Sequence, residues 1–139
     1  MRRTLALLDG RAVAGGTAVA LAVAVPTLAA GVILDPGDES NVVLLLYGLV
    51  MLGFTLGGLW AARHRPDAPF ANGAAAALAA YAAIALVASI IRLARGRSVE
   101  PVPLLFNAFM AATFGIIGGL LSGRPRPTAG ERSPRRRRS

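Results

Sequence analysis

The chain of 139 residues is 55% hydrophobic, with a mean hydropathy of +0.58, and carries 15 arginines and no lysine against seven acidic residues, a net charge of +8. It is too apolar for an ordinary soluble domain of this size, and the length allows one compact membrane domain. The absence of cysteine excludes disulfides, thiol catalysis and thiolate metal sites, and the Ala-, Gly- and Arg-rich, lysine-free usage points to a GC-rich bacterium.

Four stretches free of charged residues follow one another: Ala12–Leu34, Val42–Ala62, Ala68–Ile91 and Pro101–Gly123. A run of ~18 or more apolar residues matches the ~30 Å hydrocarbon core of a bilayer at ~1.5 Å rise per residue. The expected fold is therefore all-α, a polytopic membrane protein with helices over about 12–34, 42–62, 69–92 and 102–122. They should form a small-residue-packed bundle within residues 1–123, followed by a disordered basic tail over 124–139.

Arg2 and Arg3 precede the first run, and Leu28-Ala29-Ala30 has the look of a signal-peptidase site. The run is 23 residues long, however, whereas a signal h-region is ~7–15. An uncleaved first helix is expected, with the arginines as a topology signal. Asp35-Pro36-Gly37-Asp38 makes the first turn, and Asp38, Glu39 and Ser40 suit the exposed N–H groups that open the second helix. Arg65-Pro66 ends that helix. Asp67 with Pro69 opens the third, and Arg95-Gly96-Arg97 closes it. Pro101 and Pro103 open the fourth, and Gly123 followed by Pro125 stops it.

The loop arginines set the orientation. Arg2, Arg3, Arg11, Arg63, Arg65 and the seven of the tail lie on one side, against Arg92, Arg95 and Arg97 on the other; the first loop has only acids. The positive-inside rule then puts both termini in the cytoplasm, in a bacterial inner membrane. Arg92 and Arg95 share a helical face and are expected to snorkel to lipid headgroups. The second run holds eleven Leu, Val or Phe residues, whereas Ala71–Ile91 has six Leu, Ile or Val among eleven alanines. Insertion favours the two by roughly 3–7 and 2–4 kcal/mol respectively. The third helix therefore inserts weakly, and its smooth alanine surface suits the centre of the bundle. A third segment that does not fully span is the alternative.

Gly53 with Gly57, and Gly115 with Gly119, form small-xxx-small pairs that let helices approach closely; Gly73 with Ala77 is a weaker one. They serve packing within the chain or a homodimer seam. Phe106, Phe109, Met110 and Phe114 share one broad face of the fourth helix. Residues 57–66 match residues 118–127 at an offset of 61, with six of ten positions identical. Either two hairpins of the same orientation are related by an axis along the membrane normal, or two helices leave the membrane on one side with similar endings.

Gly57-Gly58, then Ala61-Ala62-Arg63, a short basic loop and Gly73 opening a small-residue helix resemble the YrzE-like family of small four-span bacterial membrane proteins. The resemblance covers roughly residues 12–123 and includes the Gly-Gly pair near the end of the fourth helix. It implies architecture and carries over no active-site residue.

The chemistry is sparse. His64 is the sole histidine, lying between Arg63 and Arg65, and no catalytic, metal or cofactor site is expected. Asn107 is the costliest polar group to bury and the candidate intramembrane polar site, with an interhelical hydrogen bond as its simpler role. Asn72, in the first turn of the third helix, is within reach of water. Proton-coupled transporters usually keep an intramembrane carboxylate or histidine, and the spans have none. A non-enzymatic scaffold or accessory subunit is the favoured reading, self-associating or joined to a larger membrane complex. A small passive channel or transporter is the alternative. The tail residues Arg135, Arg136, Arg137 and Arg138 are expected to contact anionic lipid, with no nucleic-acid partner.

Overall fold

The computed structural model describes residues 8–35 and 40–123, and among these it contains four helices and no strand. They are α1 (Gly10–Leu34), α2 (Asn41–His64), α3 (Pro69–Ala94) and α4 (Pro101–Ser122). Each is long and apolar enough to cross a membrane. Lengths of 22 to 26 residues correspond to roughly 33–39 Å at the helical rise, enough for a ~30 Å core. The chain is a multi-pass, all-α membrane protein.

The ends follow local chemistry. Asp9, in extended conformation, caps α1 by accepting from the Arg11 N–H at 2.9 Å and the Ala12 N–H at 3.4 Å. Asp35 ends α1 in the left-handed region at φ 41°, its N–H bonded to the Gly31 carbonyl. Ser40 caps α2, its hydroxyl accepting from the Val42 N–H; Asp38 and Glu39 lie outside the described residues. Asp67 does not cap α3. The N-cap is Ala68, without a side-chain bond, and the Asp67 carboxylate lies 3.7 Å from Arg65 instead. Pro69 needs no partner for an N–H it lacks, so the first turn forms without a polar cap. Gly96, at φ 69°, turns the chain beyond α3.

Successive helices run antiparallel, so one end of the bundle gathers Asp9, the α2–α3 turn and Gly123, and the other gathers the α1–α2 and α3–α4 connections. α3 touches all three other helices, as its alanine surface suits, and so does α2; α1 and α4 do not meet. The two hairpins run in the same sense, but no two-fold along the bundle axis relates them. Such an axis would make the α2–α3 and α1–α4 contacts equivalent, and only the first exists. The described parts of the matching segments, 57–66 and 118–123, are thus two helix endings at the same end of the bundle, not symmetry mates.

Alanine builds the core. Ala20, Ala77, Ala80 and Ala111 are buried with Met51 and Phe54, and Leu21, Val50, Tyr81, Ile84, Met110 and Phe114 pack against them. The bulkiest apolar side chains point outward, as with Val32 at 82% and Phe109 at 69% exposure. This reversal suits a bundle whose solvent is hydrocarbon, where small residues let backbones approach. The Phe and Met stripe of α4 is divided accordingly: Phe106 and Phe109 are exposed, whereas Met110 and Phe114 join the core.

Candidate functional site

The end of the bundle that holds the α2–α3 turn is closed by backbone contact. A Cβ at Gly57 would stand 2.5 Å from the Gly16 carbonyl of α1, and one at Gly115 would stand 2.5 Å from the Gly73 carbonyl of α3. At Gly119 it would lie 2.7 Å from the Pro69 carbonyl. Gly53 is looser, at 3.1 Å from the Val23 side chain. All four glycines marked as packing positions are buried against neighbouring helices. Two others were missed and are tighter. A Cβ at Gly58 would collide with the Gly115 backbone, and one at Gly118 with the Thr55 carbonyl and the Leu59 nitrogen. The signal was their place in Gly-Gly pairs. Adjacent residues on a helix point ~100° apart, so Gly57 faces α1 while Gly58 faces α4, and Gly118 faces α2 while Gly119 faces α3.

A cavity of about 630 Å³ opens between the second half of α1 and the first half of α2, with Tyr81 and Ile84 of α3 and Asn107 of α4 reaching it. Its size falls within the ~300–1,000 Å³ of ligand pockets. Buried Met51 and Phe54 (2% exposed) form its floor, and Leu28, Val32, Val43 and Leu46 contribute apolar wall. The polar groups are few and partnered. The Tyr47 hydroxyl donates to Asn107 Oδ1 at 3.2 Å, Asn107 Nδ2 donates to the Pro103 carbonyl at 2.9 Å, and the Tyr81 hydroxyl donates to the Leu104 carbonyl at 2.8 Å. Two tyrosines from different helices thus pin α4 within one turn. Asn107 makes the interhelical bond and also lines the cavity. Among the described residues, Asp35 is the one charged side chain in the lining.

A polar staple closes the opposite end. Arg65 Nε donates to Asp9 Oδ2 at 2.8 Å, and the Asp9 N–H donates to Asn72 Oδ1 at 3.0 Å. Asn72 Nδ2 donates to the Ala68 carbonyl at 3.0 Å. Asn72 is fully buried, not bathed by water at a helix end. Nearby, the Thr17 hydroxyl donates to the Ala76 carbonyl, joining α1 to α3 directly. His64 belongs to this end as well: its Nδ1 lies 3.0 Å from the Trp60 carbonyl and its ring packs, tilted by 37°, against the Trp60 indole. Among the described residues no three His, Cys, Asp or Glu side chains converge.

Arg92 and Arg95 are exposed at the end of α3, on the side where the cavity opens. Arg135, Arg136, Arg137 and Arg138 lie outside the described residues. No family model matches the chain, and neither a curated protein nor a solved structure matches it.

The staple gives a pH-dependent expectation. The Arg65 hydrogen bond, followed by the N–H groups of Arg11 and Ala12, holds the Asp9 carboxyl below its ordinary value of 3.8. A carboxyl lowered by folding stabilises fully above its unfolded value, and that contribution is lost as pH falls through the lowered, folded value. Asp9→Asn keeps an N-cap acceptor while removing the charge. Wild type should melt above the variant in detergent at pH 7, and the two melting curves should converge as pH falls below about 4. A gap that persists unchanged at acid pH would show that the ion pair is not its source.

Proposed function

We propose that this protein is a non-enzymatic scaffold or accessory subunit of a membrane assembly, held in a bacterial inner membrane with both termini in the cytoplasm. The observation that carries the reading is the closed end. Backbone contacts at Gly16, Gly57, Gly58, Gly73, Gly115 and Gly118 lie directly beyond Phe54, so the cavity is blind. A conduction path would have to separate helices that touch through their main chains, and no charged side chain lies along that route. The outer faces, in contrast, present broad apolar surface, as with Val102, Leu105, Phe106 and Phe109 on α4 and Leu86, Val87, Ile90 and Leu93 on α3. Such a face suits a partner helix as well as lipid.

The test is purification of the full chain in mild detergent. A stoichiometric partner or a stable homo-oligomer is expected, together with no solute or ion flux from liposomes holding this protein alone. Robust flux would replace the reading with a passive channel or transporter. The topology has its own check, resting on the twelve arginines on the side of the termini against three on the other. A reporter fused at Gly37 should be active outside the cell and one at the C-terminus active inside. The reverse pattern would invert the orientation.

A further inference from the structure

We propose that the cavity between α1 and α2 is a lipid site that takes the acyl chain of an amine-headed phospholipid, with the ammonium group on the Asp35 carboxylate. Lipid occupancy is independent of whether the outer faces carry a protein partner.

Three observations meet at this place. The cavity lies within helices that span a membrane, and Thr27, Leu28, Gly31 and Val32 of α1 line it along the last two turns before Asp35. Its depth is therefore that of the outer part of one leaflet, next to the headgroups. The walls are apolar and the interior polar groups are already bonded, since Tyr47 and Asn107 satisfy each other and Tyr81 bonds α4. A space of this kind is unfavourable for water, which needs two to four polar partners, and favourable for hydrocarbon. The acyl chains of the bilayer are the hydrocarbon present at the highest concentration, and the cavity opens beside them.

The third observation concerns the head. Asp35 lines the cavity, is exposed, and makes no ion pair with any described residue. Arg92 and Arg95 lie at the same end of the bundle but do not line the cavity, so the charge that faces a bound chain is the Asp35 carboxylate, which would repel an anionic headgroup. An ammonium group held a few ångströms above a buried chain would be attracted. Asp35 is also fixed in position: it is the left-handed C-cap of α1, tied through its N–H to Gly31. Its backbone is therefore anchored, and the carboxylate stays within one side-chain length of the apolar wall below it.

The test is native mass spectrometry of the full chain released from micelles doped with phosphatidylethanolamine or with phosphatidylglycerol of the same acyl chains. One phosphatidylethanolamine per chain should be retained in preference to phosphatidylglycerol. Asp35→Asn should cut that preference about two- to fivefold, the range for one exposed charge pair. Asn tolerates the left-handed conformation, so the turn is kept. Leu46→Trp fills the cavity from its wall and should lower retention of both lipids about tenfold, as expected when a buried chain segment is expelled. Retention of the two lipids in equal amounts by wild type would overturn the proposal. So would a preference unchanged in Asp35→Asn, or retention unaffected by Leu46→Trp, which would mark the lipid as an annular one. Both variants should show a wild-type far-UV helix content and elution volume, which separates loss of binding from loss of fold.

Discussion

Gly58→Ala and Gly118→Ala should each destabilise the bundle, although alanine is the better helix former. Intrinsic propensity favours alanine over glycine in a helix by about 1 kcal/mol. Against it stands the backbone of the neighbouring helix. The new Cβ at Gly58 would meet the Gly115 carbonyl, and at Gly118 it would meet the Thr55 carbonyl. Main chain cannot rotate away as a side chain can, so α2 and α4 must separate, and overpacking of this kind costs about 1–3 kcal/mol. The larger Gly57→Leu and Gly119→Leu should cost at least as much, because they push α2 from α1 and α4 from α3. Gly48 is the control. It is exposed on α2 and a Cβ there would meet nothing within 4 Å, so Gly48→Ala should be neutral or stabilising by up to about 1 kcal/mol. Melting temperatures in one detergent would check all five. If Gly58→Ala melts no lower than Gly48→Ala, close approach of α2 and α4 does not support the fold.

The difference between Gly48 and Gly58 shows where sequence stops being informative. Four spans are legible because a bilayer demands long uncharged runs, and the described helix limits fall within two residues of those expected. Proline and glycine mark the ends for steric reasons that act locally. Which glycine touches which helix depends on how helices rotate about their axes, and small-xxx-small spacing identifies a face without naming its neighbour. The Gly57-Gly58 and Gly118-Gly119 pairs carry more information than the spacing did, since two adjacent glycines give one helix two backbone-close faces.

Asp9 shows a different kind of limit. An acid just ahead of an apolar run is a recognisable N-cap, yet beside Arg11 it passes for one more charge at a polar terminus. Its ion pair with Arg65 spans 56 positions and its bond to Asn72 spans 63. No local pattern encodes either. The cavity is illegible for the same reason: residues from all four helices, from Thr27 to Asn107, line it together, and no local pattern records that juxtaposition.

The second large effect reverses a ranking that sequence alone supports. Asn107 lies well inside a span and looks the costlier asparagine, whereas Asn72 lies near a helix end. In the folded chain Asn72 is 0% exposed and receives the Asp9 N–H, while Asn107 is half-buried and its bond to Tyr47 is exposed. Asn72→Leu deprives the Asp9 N–H of its acceptor, and an unsatisfied donor of this sort costs about 1–3 kcal/mol. The larger apolar branch must also fit where the carboxamide bonded the Ala68 carbonyl, beside the α2–α3 turn. Asn107→Leu removes one interhelical hydrogen bond in a setting where such bonds average about 0.6 kcal/mol, and the Tyr47 hydroxyl keeps access to the cavity mouth. Asn72→Leu should therefore melt well below Asn107→Leu. It should also raise hydrogen exchange in the first turn of α1, where Asp9 acts as cap, while Asn107→Leu should leave that turn protected. If Asn107→Leu proves the more damaging, the cavity wall and not the Asp9–Asn72 staple is the keystone of the bundle.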